Sequence, residues 1–170
     1  MSRPHTVTLR FLAEPGHVNF GGKVHGGAVM KWIDQAGYTC AAGWTGEYCV
    51  TVYVGGIRFL QPILVGELVE VNAQVVRTGR TSLDVTIDIY AGNPRTSTMR
   101  RACHCVMVFV AVDAEGQPKE VPTWTPTTPV EQALEKYALR LSEVRRSLDQ
   151  EIEGQLRWLD QQRPAETERR

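Results

Sequence analysis

One stretch of this 170-residue sequence gathers most of the groups that could do chemistry, from Asn19 to Asp34. Asp34 stands in a largely apolar run from Ala28 to Ala42, which contains no Pro and reads as a helix stopping near Gly43. A carboxylate there is solvated, paired with Lys31 one turn earlier, or aimed into a cleft. In a cleft it can serve as general base toward water or as a nucleophile. Gly26 and Gly27 open the helix, so their N–H groups are uncrowded and lie at the positive end of its dipole. Such donors can hold a developing oxyanion; the alternative is a flexible entry to the helix. Asn19 can orient water or a carbonyl, or stabilise a turn. His17 and His25 could supply an acid–base partner for Asp34. No G-x-S-x-G elbow provides a serine nucleophile, and Cys40 lies inside the helix.

A second candidate is the turn Gly79, Arg80, Thr81 and Ser82 between two strand-like runs. Its N–H groups, guanidinium and hydroxyls suit a cluster of phosphate oxygens. Arg58, Arg77, Arg100 and Arg101 could add charge or simply be solvated. Cys103 and Cys105 flank His104, but the segment reads as a strand and no second ligand pair stands at zinc spacing, so no metal is expected.

These groups need a scaffold, and the hydrophobic pattern describes one. In the helix, Lys31, Asp34, Gln35, Tyr38 and Thr39 fall on one stripe, with Val29, Trp32, Ile33, Ala36 and Cys40 on the other side. So apolar a helix must be wrapped. Thr6 to Leu12 reads as a leading strand. Val50, Val52 and Val54 alternate, then Ile57 and Phe59 continue in the opposite phase, as a bulge at Gly55-Gly56 would produce. Val69 to Val75 and Leu83 to Ile89 are half-buried strands joined by a hairpin. Met99 to Val112 is a last strand, apolar on both faces in its second half. The fold class is therefore α+β: an antiparallel sheet curled around one long central helix, the hotdog layout.

The domain is expected over 1–122, followed by a Pro-rich linker at 123–129. An amphipathic helix over 130–153 follows, with Thr128 as N-cap, Pro129 first and Glu131 in capping-box register. Val130, Leu134, Tyr137, Leu141, Val144 and Leu148 mark its apolar face, suited to packing on the domain or a neighbouring subunit. A charged, flexible tail is expected over 154–170.

Lys plus Arg equal Asp plus Glu at 19 each, so no global field favours nucleic acid or an anionic membrane. No apolar run approaches a membrane span. The four cysteines form no disulfide framework, which suits a reducing cytoplasm.

The residues from Asn19 to Asp34, those from Arg58 to Gly66, and Gly79 to Ser82 resemble the hotdog acyl-CoA thioesterases, in particular the group of bacterial broad-range enzymes and brain-type acyl-CoA hydrolases. The resemblance spans roughly Thr6 to Pro122. It implies hydrolysis of acyl-CoA to free acid and CoA with no cofactor. Asp34 would activate water or attack the thioester, and Gly26 or Gly27 N–H would polarise its carbonyl. Asn19 would come from a partner subunit, and the 79–82 turn would contact the nucleotide end of CoA. His25 and Arg58 join that turn as substrate-contacting candidates. A homodimer is implied as the working unit, with a trimer of dimers common in the family. The C-terminal helical segment is long for a single-domain member. Two rivals stand beside this reading: a hotdog hydratase or dehydratase pairing His25 with Asp34, and a non-catalytic acyl-CoA-binding module.

Overall fold

The computed structural model describes residues 3–96 and 98–162. Among these, strand β1 (Thr6–Leu12) and a single 3-10 turn (Pro15–His17) precede helix α1 (Gly26–Thr45). Strands β2 (Tyr48–Phe59), β3 (Leu68–Thr78), β4 (Ser82–Gly92) and β5 (Met99–Val112) follow, and helix α2 (Pro129–Gln162) comes last. The strands form one antiparallel sheet in the order β1-β3-β4-β5-β2. β1 and β2, adjacent in sequence, are its two edges, and α1 crosses the sheet between them.

Alternation decides the inner face. Leu83, Val85, Ile87 and Ile89 of β4 and Cys103, Cys105, Met107 and Phe109 of β5 pack with Val29, Trp32, Ile33, Ala36 and Cys40 of α1 in one core. The polar stripe from Lys31 to Thr39 stays exposed. Gly37 permits the close approach of helix to sheet, because a β-carbon there would lie 2.9 Å from the Phe109 ring. Each large apolar side chain so buried contributes about 1.5–3 kcal/mol.

α1 begins two residues earlier and ends three later than its apolar run implies. It passes through Gly43 and stops at Gly46, whose φ of 75° provides the left-handed cap that closes the last turn on the Ala42 carbonyl. The phase change in β2 is a bulge, with the register slipping between Gly55 and Arg58 and Gly56 at φ 61°. A second slip falls between Thr51 and Tyr53.

α2 lies on the outer face of the sheet. Its start is the expected capping box: Glu131 N–H donates to Thr128 Oγ1, and Thr128 N–H donates to Glu131 Oε2. Its end differs from expectation. The helix continues to Gln162, through the region read as a flexible tail; Gly154 does not stop it, since a mid-helix Gly costs only about 1 kcal/mol against Ala. The expected tail residues 163–170 lie outside the described residues.

Candidate active site

The segment before α1 is a tight loop built on Asn19. Its Oδ1 accepts the N–H groups of Gly21 (2.8 Å) and Lys23 (3.2 Å), and its main chain bonds Lys23 and Gly22. The turn-forming role of Asn19 is therefore real, and it occupies only the carbonyl end of the amide. Nδ2 has no partner among the described residues, so its two N–H groups remain to donate.

His25 is the N-cap of α1. Its Nδ1 accepts the Gly27 N–H at 2.8 Å, and its carbonyl accepts the Ala28 N–H. Capping thus commits the Gly27 amide to the protein. Gly26 N–H bonds nothing among the described residues and stands at the positive end of a 20-residue helix. Of the two glycines, Gly26 alone offers a free amide. His17 is tied up in the entry loop, its Nδ1 accepting the Glu14 N–H and its ring edge-on to Trp32.

Asn19 and Gly26 line one cavity of about 330 Å³, with Lys23, Phe59, Pro62 and Cys103 among its other walls. Burial raises the Cys103 thiol pKa, opposing its use as a thiolate nucleophile. Asp34 is not in that cavity. It lies eight residues along α1, about 12 Å by helical rise, on the exposed side. Of the alternatives open to Asp34, pairing with Lys31 does not form; Asp34 Oδ1 accepts a hydrogen bond from Thr51 Oγ1 of β2 at 2.9 Å. Thr51 was visible in the sequence only as a polar position in an alternating strand. What connects it to Asp34 is the return of the chain from α1 into β2.

The 79–82 turn closes the β3–β4 hairpin, with Gly79 N–H on the Ser82 carbonyl at 2.7 Å. It belongs to the other end of α1, where Arg80 O accepts from Val121 N and Trp44 Nε1 donates to Pro122 O. A helix of about 30 Å separates this turn from Gly26, so one chain does not bring the two together. Arg58 is cross-strand from His104 on the outer face, away from the cavity. His104 itself points outward to Asp88 and Tyr137, while Cys103 and Cys105 point into the core. The three cannot converge on one ion.

Residues 21–98 match the family described as the Thioesterase superfamily. The Escherichia coli acyl-CoA thioester hydrolase YciA is 33% identical over 130 residues, covering 72% of this chain and 98% of that one. This chain belongs to the thioesterase superfamily.

Solved structures agree with that membership and with the fold. A Staphylococcus aureus acyl-CoA hydrolase, determined with butyryl coenzyme A, coenzyme A and coenzyme A disulfide, matches this thioesterase with a TM-score of 0.85. It is 26% identical, with 94% of this chain and 97% of that chain covered. A hexameric thioesterase of Yersinia pestis is 35% identical, with a TM-score of 0.64 over 68% of this chain and 93% of that one. Solved variants of the S. aureus enzyme replace one asparagine, one aspartate and one threonine by alanine. Those positions are 15 and then 17 residues apart, the separations of Asn19, Asp34 and Thr51 in this thioesterase.

Proposed function

We propose that this thioesterase hydrolyses acyl-CoA to a free carboxylic acid and CoA, with Asp34 as the reacting carboxylate. One observation carries the assignment: the one carboxylate of α1, on its open side, held by the Thr51 hydroxyl at 2.9 Å. Asp34 takes a proton from water as it adds to the thioester carbon, or adds there itself to give an acyl–Asp34 anhydride that water then hydrolyses, releasing the acid and restoring the carboxylate. The tetrahedral oxyanion then collapses, the C–S bond breaks, and the CoA thiolate leaves. A thiolate needs less help from protonation than an amine, so the scheme calls on no metal or cofactor, and CoA enters as part of the substrate.

In this reading the remaining parts come from two chains, which distance supports. An oxyanion donor and the attacking group must both lie about 3 Å from the reacting atoms, whereas Gly26 and Asp34 of one chain are about 12 Å apart along α1. A complete site therefore pairs Asp34 and Thr51 of one copy with Gly26 and Asn19 of another. The free Gly26 N–H holds the oxyanion, and Asn19 Nδ2 donates to the carbonyl or the water. A dimer is the smallest competent unit, and a hexamer as in the Y. pestis relative is compatible with it. Gly79, Arg80, Thr81 and Ser82 are assigned to the nucleotide end of CoA, with Arg58 and His25 Nε2 as further contacts. The cytoplasm as the compartment rests on four free, buried cysteines.

The test is CoA release from a panel of acyl-CoA chain lengths, followed by chromatography because the protein's thiols would react with a thiol dye. Asp34→Asn is expected to lose about 10²–10⁴-fold in turnover while keeping its fold and oligomeric mass. Thr51→Ala should lose about tenfold, the worth of one hydrogen bond to a charged group, and Thr51→Ser should restore it. Equal release by parent and Asp34→Asn would remove Asp34 from the chemistry. Tight binding without turnover at any chain length would make the protein an acyl-CoA-binding module.

A further inference from the structure

Helix α2 crosses the outer face of the sheet from the β3 side to the β2 edge. It packs against β3. Tyr137 Oη then meets Nε2 of His104 on β5 at 3.0 Å, and the Arg145 guanidinium lies 4.7 Å over the Tyr53 ring of β2. The helix does not end there. From residue 146 to 162 every residue is exposed, a free-standing rod of about 25 Å.

This rod is not polar all round. Leu148, Ile152, Leu156 and Leu159 recur at 4-4-3 spacing and are 45–53% exposed. The same helix face carries Leu134, Ala138 and Leu141, which α2 turns toward the sheet, while Arg146, Gln150 and Arg157 lie opposite. Leu148 still borders Tyr53 and Gly55 of β2 at the sheet edge, and from Ile152 onward the apolar face runs past that edge with nothing beneath it among the described residues. A helix of this length interrupted by Gly154 is marginal in water without tertiary contact.

The edge that α2 overruns is β2, whose outward backbone groups have no partner strand among the described residues. A second copy presenting its own β2 there across a two-fold axis would extend the sheet and bring its outer face, beside the α2 that already crosses it, under the overhang. About 25 Å of helix spans roughly five strands at a spacing of ~4.8 Å, so the reach suffices. We infer that residues 146–162 form an intersubunit strap whose Leu148–Leu159 face lies on the outer face of a second copy's sheet. The contact is isologous, each copy giving one strap and receiving one. It does not depend on the hydrolytic reading.

Hydrogen exchange on the full chain tests it, comparing the parent with the double variant Ile152→Asp/Leu156→Asp at a concentration where the parent is oligomeric. Both side chains are exposed in the single chain, so α1 should stay equally protected in the two proteins and report an intact fold. Amides of 146–162 are expected to exchange at least tenfold faster in the variant. Its subunit dissociation constant, by sedimentation, should rise at least tenfold. Equal exchange of the segment in both proteins, or an unchanged dissociation constant, would overturn the strap. Protection that persists in the diluted, monomeric parent would also overturn it, since the segment would then be folded on its own chain.

Discussion

The two faces of this sheet are covered by different means, although Val106, Val108 and Ala138 bury apolar surface under α2 as well. Between α1 and the inner face the contact is apolar and contains no charged side chain, from Val29 and Ile33 to Met107 and Phe109. Between α2 and the outer face lie Asp84, Thr86, Asp88 and His104, and α2 is fastened by directed polar contacts. Tyr137 meets His104, whose other nitrogen meets Asp88 at 2.9 Å, and Arg101 adds a guanidinium to Asp88 at 3.2 Å. Asp84, only 6% exposed, is paired with Arg77 at 2.9 Å; burial raises its pKa and Arg77 partly offsets the rise. Apolar burial is non-directional and scales with area, so the inner face carries the stability. Hydrogen bonds exchanged for bonds to water yield little net energy but demand geometry, so the outer face determines where α2 lies. Asp34 belongs to neither contact. It lies on the open side of α1, outside both packing contacts.

The sharpest way to break this contrast is at Phe109, buried on the inner face against Gly37. Phe109→Ala should cost about 3–5 kcal/mol in urea unfolding. A loss below about 1 kcal/mol would mean that the inner face does not dominate. On the outer face, Tyr137→Phe removes one hydrogen bond to His104 and should cost about 0.5–1.5 kcal/mol. Exchange should quicken first in α2 and leave α1 unaffected. The smallest effect concerns the start of α2. Glu131 accepts the N–H and hydroxyl of Thr127 and the N–H of Thr128, which pull its pKa from 4.5 to about 2. A folded-state pKa below the unfolded one adds stability that is complete above about 4.5 and is lost as pH falls toward about 2. The parent's lead in Tm over Glu131→Gln should therefore shrink as pH falls from about 4.5 to 2. A lead that stays constant throughout would show that the cap hydrogen bonds do not depend on ionisation.

Much of the scaffold was legible in the sequence because its signals are local. Alternation in Leu83 to Ile89, the helical stripe of Val29 to Cys40 and the Thr128–Glu131 capping box each depend on residues a few positions apart. The end of α1 was misplaced because Gly43 and Gly46 are equivalent as letters, and only backbone conformation selects the one at φ 75°. The end of α2 was misplaced because charge density reads as disorder, although Leu148, Ile152, Leu156 and Leu159 keep a helical face.

For the site, residue types and spacing raised Asp34, Asn19 and the glycines at the helix start as candidates, each with a structural alternative beside it, and the family resemblance supplied their roles. Tertiary structure decided what each can do. His25 closes the Gly27 amide and leaves Gly26 free; Asn19 spends its carbonyl on the loop and keeps its N–H groups; Thr51, far along the chain, becomes the partner of Asp34. The 79–82 turn and Gly26 prove to lie at opposite ends of one helix. Composition and periodicity act over a few residues, which suffices for elements and candidates. Hydrogen-bond occupancy and separation in space depend on where the chain returns, and that is a property of the whole fold.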